Sequence, residues 1–133
     1  MKRIYLFILL LFIGCSTDTD TTIDFVISNK TGNRINLKVY YKYSYYGNPS
    51  NVYYLGANKD TLIYWTEIDE RDEAENYYYE KMPFDSILIF KSDSLKATFD
   101  FSSRKEWDYI HKDENWEEYR LYIEDGDFQN LIK

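Results

Sequence analysis

Apolar and polar residues alternate along much of this chain with a period of two. Ile23, Phe25 and Ile27 fall on one side of a segment whose other side carries Asp24, Val26 and Ser28. Arg34–Tyr43 repeats the pattern: Ile35, Leu37, Val39, Tyr41 and Tyr43 lie against Asn36, Lys38, Tyr40 and Lys42. A period of two marks a strand with one buried face. Between the runs lies Asn29-Lys30-Thr31-Gly32-Asn33, a turn composition in which Gly32 is free to take positive φ. Two alternating runs across such a turn predict a β-hairpin.

The pattern continues. Tyr45–Asn51 contains Gly47, Asn48 and Pro49 and predicts a loop. Val52–Leu55 and Thr61–Ile68 predict strands. Asp69–Asn76 is charged, lacks an apolar stripe and predicts a solvated loop. Asp85–Lys91 holds the unbroken run Ile87-Leu88-Ile89-Phe90, which suits a central strand covered on both faces. Leu95, Ala97, Phe99 and Phe101 alternate with Lys96, Thr98 and Asp100, giving a second hairpin across Ser92-Asp93-Ser94. Ser103 with Glu106 resembles a capping box and Trp107 with Ile110 has helical spacing, which leaves room for a short helix near 103–112. Tyr119, Leu121 and Ile123 close the sheet, and Phe128, Leu131 and Ile132 are expected to return to the core. The prediction is a mainly β chain: an antiparallel two-sheet sandwich of about seven strands, Ig-like or Greek-key, in one domain over residues 23–133.

The first residues break the pattern. Lys2 and Arg3 precede an unbroken apolar run, Ile4–Ile13, and Gly14-Cys15 leads into polar Ser16, Thr17 and Asp18. This is the layout of an export signal. The run is shorter than the roughly 20 helical residues needed to cross a bilayer. Leu11-Phe12-Ile13-Gly14-Cys15 resembles the lipobox of bacterial lipoproteins, with Phe12 where Leu is usual. The resemblance implies a signal peptide over 1–14, cleavage before Cys15, and acylation of that residue, with 15–22 as the lipidated cysteine and its tether. Several acyl chains anchor firmly, since each buried CH₂ contributes about 0.8 kcal/mol. Cys15 is the only cysteine, so no disulfide is available and acylation removes an otherwise reactive thiol.

These features together resemble the small β-sandwich lipoproteins of Bacteroidota. Besides the lipobox, the likeness rests on the strand Ile23–Asn29 with its Asn-x-Thr-Gly turn, the hairpin from Phe84 to Phe101, and the late strand ending Glu124-Asp125-Gly126-Asp127-Phe128. It implies an exported chain attached through Cys15 to the bilayer at the cell envelope, by that family's usage at the outer membrane, facing the periplasm or the cell surface.

Charge narrows the partners. The formal charge is −7, and cleavage would remove two positive residues. An acidic domain repels phosphate backbones, so no nucleic acid is expected. His111 is the only histidine, no G-x-S-x-G elbow occurs, and no Cys or His pair has zinc spacing. The acids from Glu67 to Glu75 lack the glycine and terminal glutamate of a calcium loop, and Asp125-Gly126-Asp127 reads as turn chemistry. No enzyme, metal or cofactor is expected. Fifteen tyrosines are more than one small core holds. Many should form cross-strand ladders. Tyr45, Tyr46, Tyr77, Tyr78 and Tyr79, in or beside loops, are the candidate contacts for a partner, a glycan stacking on the rings or a protein. The expected role is therefore binding or structural. The alternatives are a glycan-binding accessory module and an acidic inhibitor of a basic toxin or hydrolase.

Overall fold

The alternating runs do become strands, nine of them, in the computed structural model of the chain, which describes residues 20–42, 49–68, 82–92, 95–97 and 100–130. They are β1 (Thr21–Asn29), β2 (Ile35–Tyr41), β3 (Ser50–Leu55), β4 (Asp60–Ile68), β5 (Phe84–Ser92), β6 (Leu95–Ala97), β7 (Asp108–Asp113), β8 (Trp116–Ile123) and β9 (Phe128–Asn130). One sheet has the order β4-β1-β8-β7 and the other β3-β2-β5-β6-β9. The chain is an all-β sandwich in which β4 returns beside β1. Every described pairing is antiparallel except that of β1 with β8, which is parallel. Among the described residues no helix is long and apolar enough to cross a membrane.

The first expected hairpin does not form. β1 and β2 are both strands, but they belong to different sheets. Residues 29–33 are a corner between layers, and Asn29 explains why. Its side chain is buried. The Nδ2 group donates to the carbonyls of Asn33 (2.8 Å), Gly56 (2.8 Å) and, more weakly, Leu55 (3.3 Å). Oδ1 accepts from the Thr31 amide at 3.0 Å and the Thr31 hydroxyl at 2.7 Å. Its backbone amide donates to Lys59 O, and that of Lys30 to Ile123 O. A turn so committed to the β3–β4 connection and the end of β8 cannot also fold β2 back onto β1.

The second hairpin, β5 with β6, does form, although β6 is only three residues long. β5 is central, as its apolar run requires. Ile87 and Ile89 are buried, and Leu88 and Phe90 on the other face are half-covered. The region near 103–112 holds a 3₁₀ turn at Arg104–Glu106 followed by β7, and Ser103 makes no side-chain cap. Trp107 decides this outcome. It is buried, donates through Nε1 to Phe101 O at 2.7 Å, and stacks on Phe84 with centroids 5.6 Å apart. With Trp107 facing the core, Tyr109 follows two residues later and packs there too, which is strand spacing.

Phe25 is the centre of the core. Tyr119 stacks on it at 5.2 Å, and Phe84, Tyr64 and Trp107 approach at 5.5, 5.7 and 5.9 Å. Ile23, Ile27, Ile35, Leu37, Val39 and Ile89 fill the space around this cluster. Phe128 packs against it, while the Leu131 and Ile132 expectation lies outside the described residues.

A β-bulge supplies a second tie between the sheets. In the β1–β4 ladder Phe25 faces Tyr64 and Val26 faces Leu62, so Ile63 is the extra residue. Its carbonyl oxygen lies 2.9 Å from Tyr41 Oη and 3.1 Å from Tyr53 Oη, and the two hydroxyls are 2.7 Å apart. However the protons are arranged, two tyrosines of one sheet satisfy a carbonyl of the other. Burial, and then the neighbouring Tyr53 hydroxyl, push the Tyr41 phenol well above the ordinary tyrosine range.

Two predictions follow from these ties. Asn29→Ala strands several buried backbone groups and should cost roughly 3 kcal/mol. Tyr41→Phe and Tyr53→Phe should each cost less than about 1 kcal/mol, since the other hydroxyl still serves the Ile63 carbonyl, while the double variant should lose about 2 kcal/mol. Denaturant unfolding of the four variants measures both effects.

Candidate interaction surface

Outward-facing side chains of β1, β4 and β8 form a grid on the exposed face of the first sheet. On β1 they are Thr22, Asp24, Val26 and Ser28. Across the ladder to β4 these face Glu67, Trp65, Leu62 and Asp60 in turn. Across to β8 they face Trp116, Glu118, Arg120 and Tyr122. The bulge at Ile63 sets this pattern, because it turns both Ile63 and Tyr64 inward and leaves Leu62 and Trp65 outside.

The half of the grid nearer Asp60 is saturated by its own charges. Arg120 pairs with both Asp60 and Glu118, and Lys112 reaches the other Glu118 oxygen at 3.2 Å. The Ser28 hydroxyl donates to Asp60 at 2.6 Å. That hydrogen bond, then Arg120, holds the Asp60 carboxyl below its ordinary range. Burial pushes the Glu118 carboxyl up, but the hydrogen bonds and charges of Arg120 and Lys112 outweigh it, and the net shift is down. Glu118 in turn holds the Arg120 guanidinium firmly protonated. Val26 is covered although it faces outward, and Lys30 lies over the Tyr122 ring.

The other half is open. Trp65 is 50% exposed and Trp116 is 42% exposed. Asp24 sits between them: it faces Trp65 across the ladder, and its Oδ2 accepts the Trp116 indole N–H at 2.9 Å. That bond ties the Trp116 indole to β1 while the side chain stays exposed. Among the described residues neither Asp24 nor Glu67 forms an ion pair.

His111 has a carboxylate partner at the opposite face of β7 and β8. Its Nδ1 lies 2.8 Å from Glu117 Oε1. Glu117 is only 2% exposed, and among the described residues its Oε2 and the buried Thr21 hydroxyl have no hydrogen-bond partner. The pair can orient an imidazole. Nucleophilic catalysis needs a hydroxyl or thiol on the other ring nitrogen, and among the described residues nothing hydrogen-bonds it. The described residues also gather no cluster of three or more His, Cys, Asp or Glu that could hold a metal ion.

Cys15, Tyr45, Tyr46, Tyr77, Tyr78 and Tyr79 all lie outside the described residues. Of the other described tyrosines, Tyr41, Tyr53, Tyr64 and Tyr109 pack on the core, and Tyr40 and Tyr54 lie under Lys38 and Arg34. Trp65 and Trp116 were not among the candidate contacts. The available signal was an indole beside an acid in each case, Trp65-Thr66-Glu67 and Trp116-Glu117-Glu118. No family model, curated protein sequence or solved structure matches this chain.

The saturated half generates an acid-stability prediction. Asp60 and Glu118 ionise below their ordinary values, so their stabilisation is complete above the ordinary carboxylate range of about 4 and is lost as pH falls below it. Arg120→Met should cost roughly 2 kcal/mol at neutral pH and flatten the loss of stability between about pH 5 and 2. Urea unfolding across that interval gives both quantities.

Proposed function

We propose that this chain is an exported lipoprotein, anchored to the cell envelope through acylated Cys15, whose β-sandwich is a non-catalytic binding domain. The observation that carries the binding role is the open half of the first sheet, where two exposed indoles flank an unneutralised carboxylate on a rigid ladder. Large aromatics are favoured in contact surfaces because they bring area at little entropic cost. Strands hold them more firmly than loops would. The lipobox-like leader supports the anchoring.

The surface also suits the anchor. β1 begins at Thr21, and Trp116 faces Thr22. Five or six residues extend at most about 20 Å, so a chain held at Cys15 would present this surface close to the membrane. A glycan is the second reading, favoured by the exposure of Trp65 and Trp116, since an exposed indole can stack on a sugar ring.

Cys15→Ser should abolish acylation, read as loss of the acyl mass, and with it the cleavage before residue 15. The native protein should show an intact mass equal to residues 15–133 plus acyl chains. A native chain with its leader uncut, or a native mass without acyl chains, would refute the anchoring.

A further inference from the structure

We infer that the Trp65–Asp24–Trp116 surface receives lysine or arginine side chains of a basic partner protein. This rests on the binding reading above and assigns the chemistry of the ligand.

Asp24 and Glu67 are acceptors. One Asp24 oxygen takes the Trp116 N–H, and among the described residues the other has no partner. The neighbouring donors are spent, since Arg120 is held by Asp60 and Glu118, and Lys112 by Glu118. Among the described residues the donors left on this half are the hydroxyl of half-buried Thr22 and the indole N–H of Trp65. A sugar ring presents several hydroxyls that both donate and accept, so most of its acceptors would go unmet beside two such donors. An ammonium or guanidinium group donates only, which complements two carboxylates that form no ion pair among the described residues.

The rings give the same answer. The face of an indole carries the negative lobe of its quadrupole and attracts a cation above it. Trp65 and Trp116 are separated by two interstrand spacings and a two-residue stagger, roughly 12 Å between Cα atoms. Because the Trp116 N–H edge is turned to Asp24, a cationic head would sit over an indole face, with the Asp24 carboxylate beside it. The charge of the whole chain, −7, would draw a basic partner toward it. The surface is the outer face of a sheet, whereas small molecules are bound in concave sites. A protein surface bearing several basic residues therefore fits better than a free amine.

The test uses the full-length chain in detergent and follows tryptophan fluorescence at physiological salt. The probes are a pentalysine peptide, the same peptide with its side chains acetylated, and a neutral β-glucan. Pentalysine should bind, and acetylation should weaken it at least about tenfold. Asp24→Asn and Trp65→Leu should each weaken it about tenfold, while Asp85→Asn, an exposed acid on β5, should not change it. Circular dichroism establishes that each variant is folded. Equal loss with Asp85→Asn would mean that net charge alone attracts the peptide, and the assignment falls. Equal binding of the acetylated peptide overturns it as well. If the glucan binds through Trp65 and pentalysine does not, the surface stands as a binding site and the basic partner is wrong. If neither probe binds, both readings fall.

Discussion

A single buried amide holds one end of this sandwich together. Asn29 ends β1 and bonds to the corner that follows it, to the β3–β4 connection, and, through the adjacent Lys30 amide, lies beside the end of β8. Three segments distant in sequence thereby share one hydrogen-bonding centre. A buried amide of this kind is costly unless all of its groups are met, and here all of them are. The arrangement sends the chain from one sheet to the other at residue 29, and all later strand placements follow from that crossing.

The bulge at Ile63 has two consequences on opposite sides of the same strand. Inward, it frees a carbonyl that Tyr41 and Tyr53 take up, joining the layers. Outward, it shifts the alternation by one residue, so that Leu62 and Trp65 share the exposed face. An irregularity in the ladder thus serves both the cohesion of the core and the composition of the surface. The surface divides into a half neutralised by Arg120 and a half left with its carboxylates and indoles uncovered.

The sequence was legible where period two is clean. β1, β2, β5 and β8 coincide with alternating or continuous apolar runs, and the all-β sandwich follows from their number and spacing. Alternation identifies a strand but not its neighbour, which is why β1 and β2 read as a hairpin. The buried Asn29 that separates them looks like any turn residue. Near 103–112 the spacing of Trp107 and Ile110 suggested a helix, but those two side chains face opposite sides of a strand, with Trp107 in the core and Ile110 on the outer face. The indole surface escaped notice because strict alternation through β4 misplaces the residues around a bulge. Trp116 draws its meaning from Asp24, a residue 92 positions away. Long-range parallel pairing of that kind leaves no local trace in the chain.

The parallel alignment of β1 with β8 also sets an order of events in time. β1 can acquire β4 early, but its other edge waits for residues that come near the end of synthesis. Pairings between such distant segments are slow to form, because a long loop must close before any contact rewards it. A polypeptide threaded through a membrane pore with its N-terminus leading would therefore remain open for most of its passage. Only when residue 123 emerged could the first sheet zip shut.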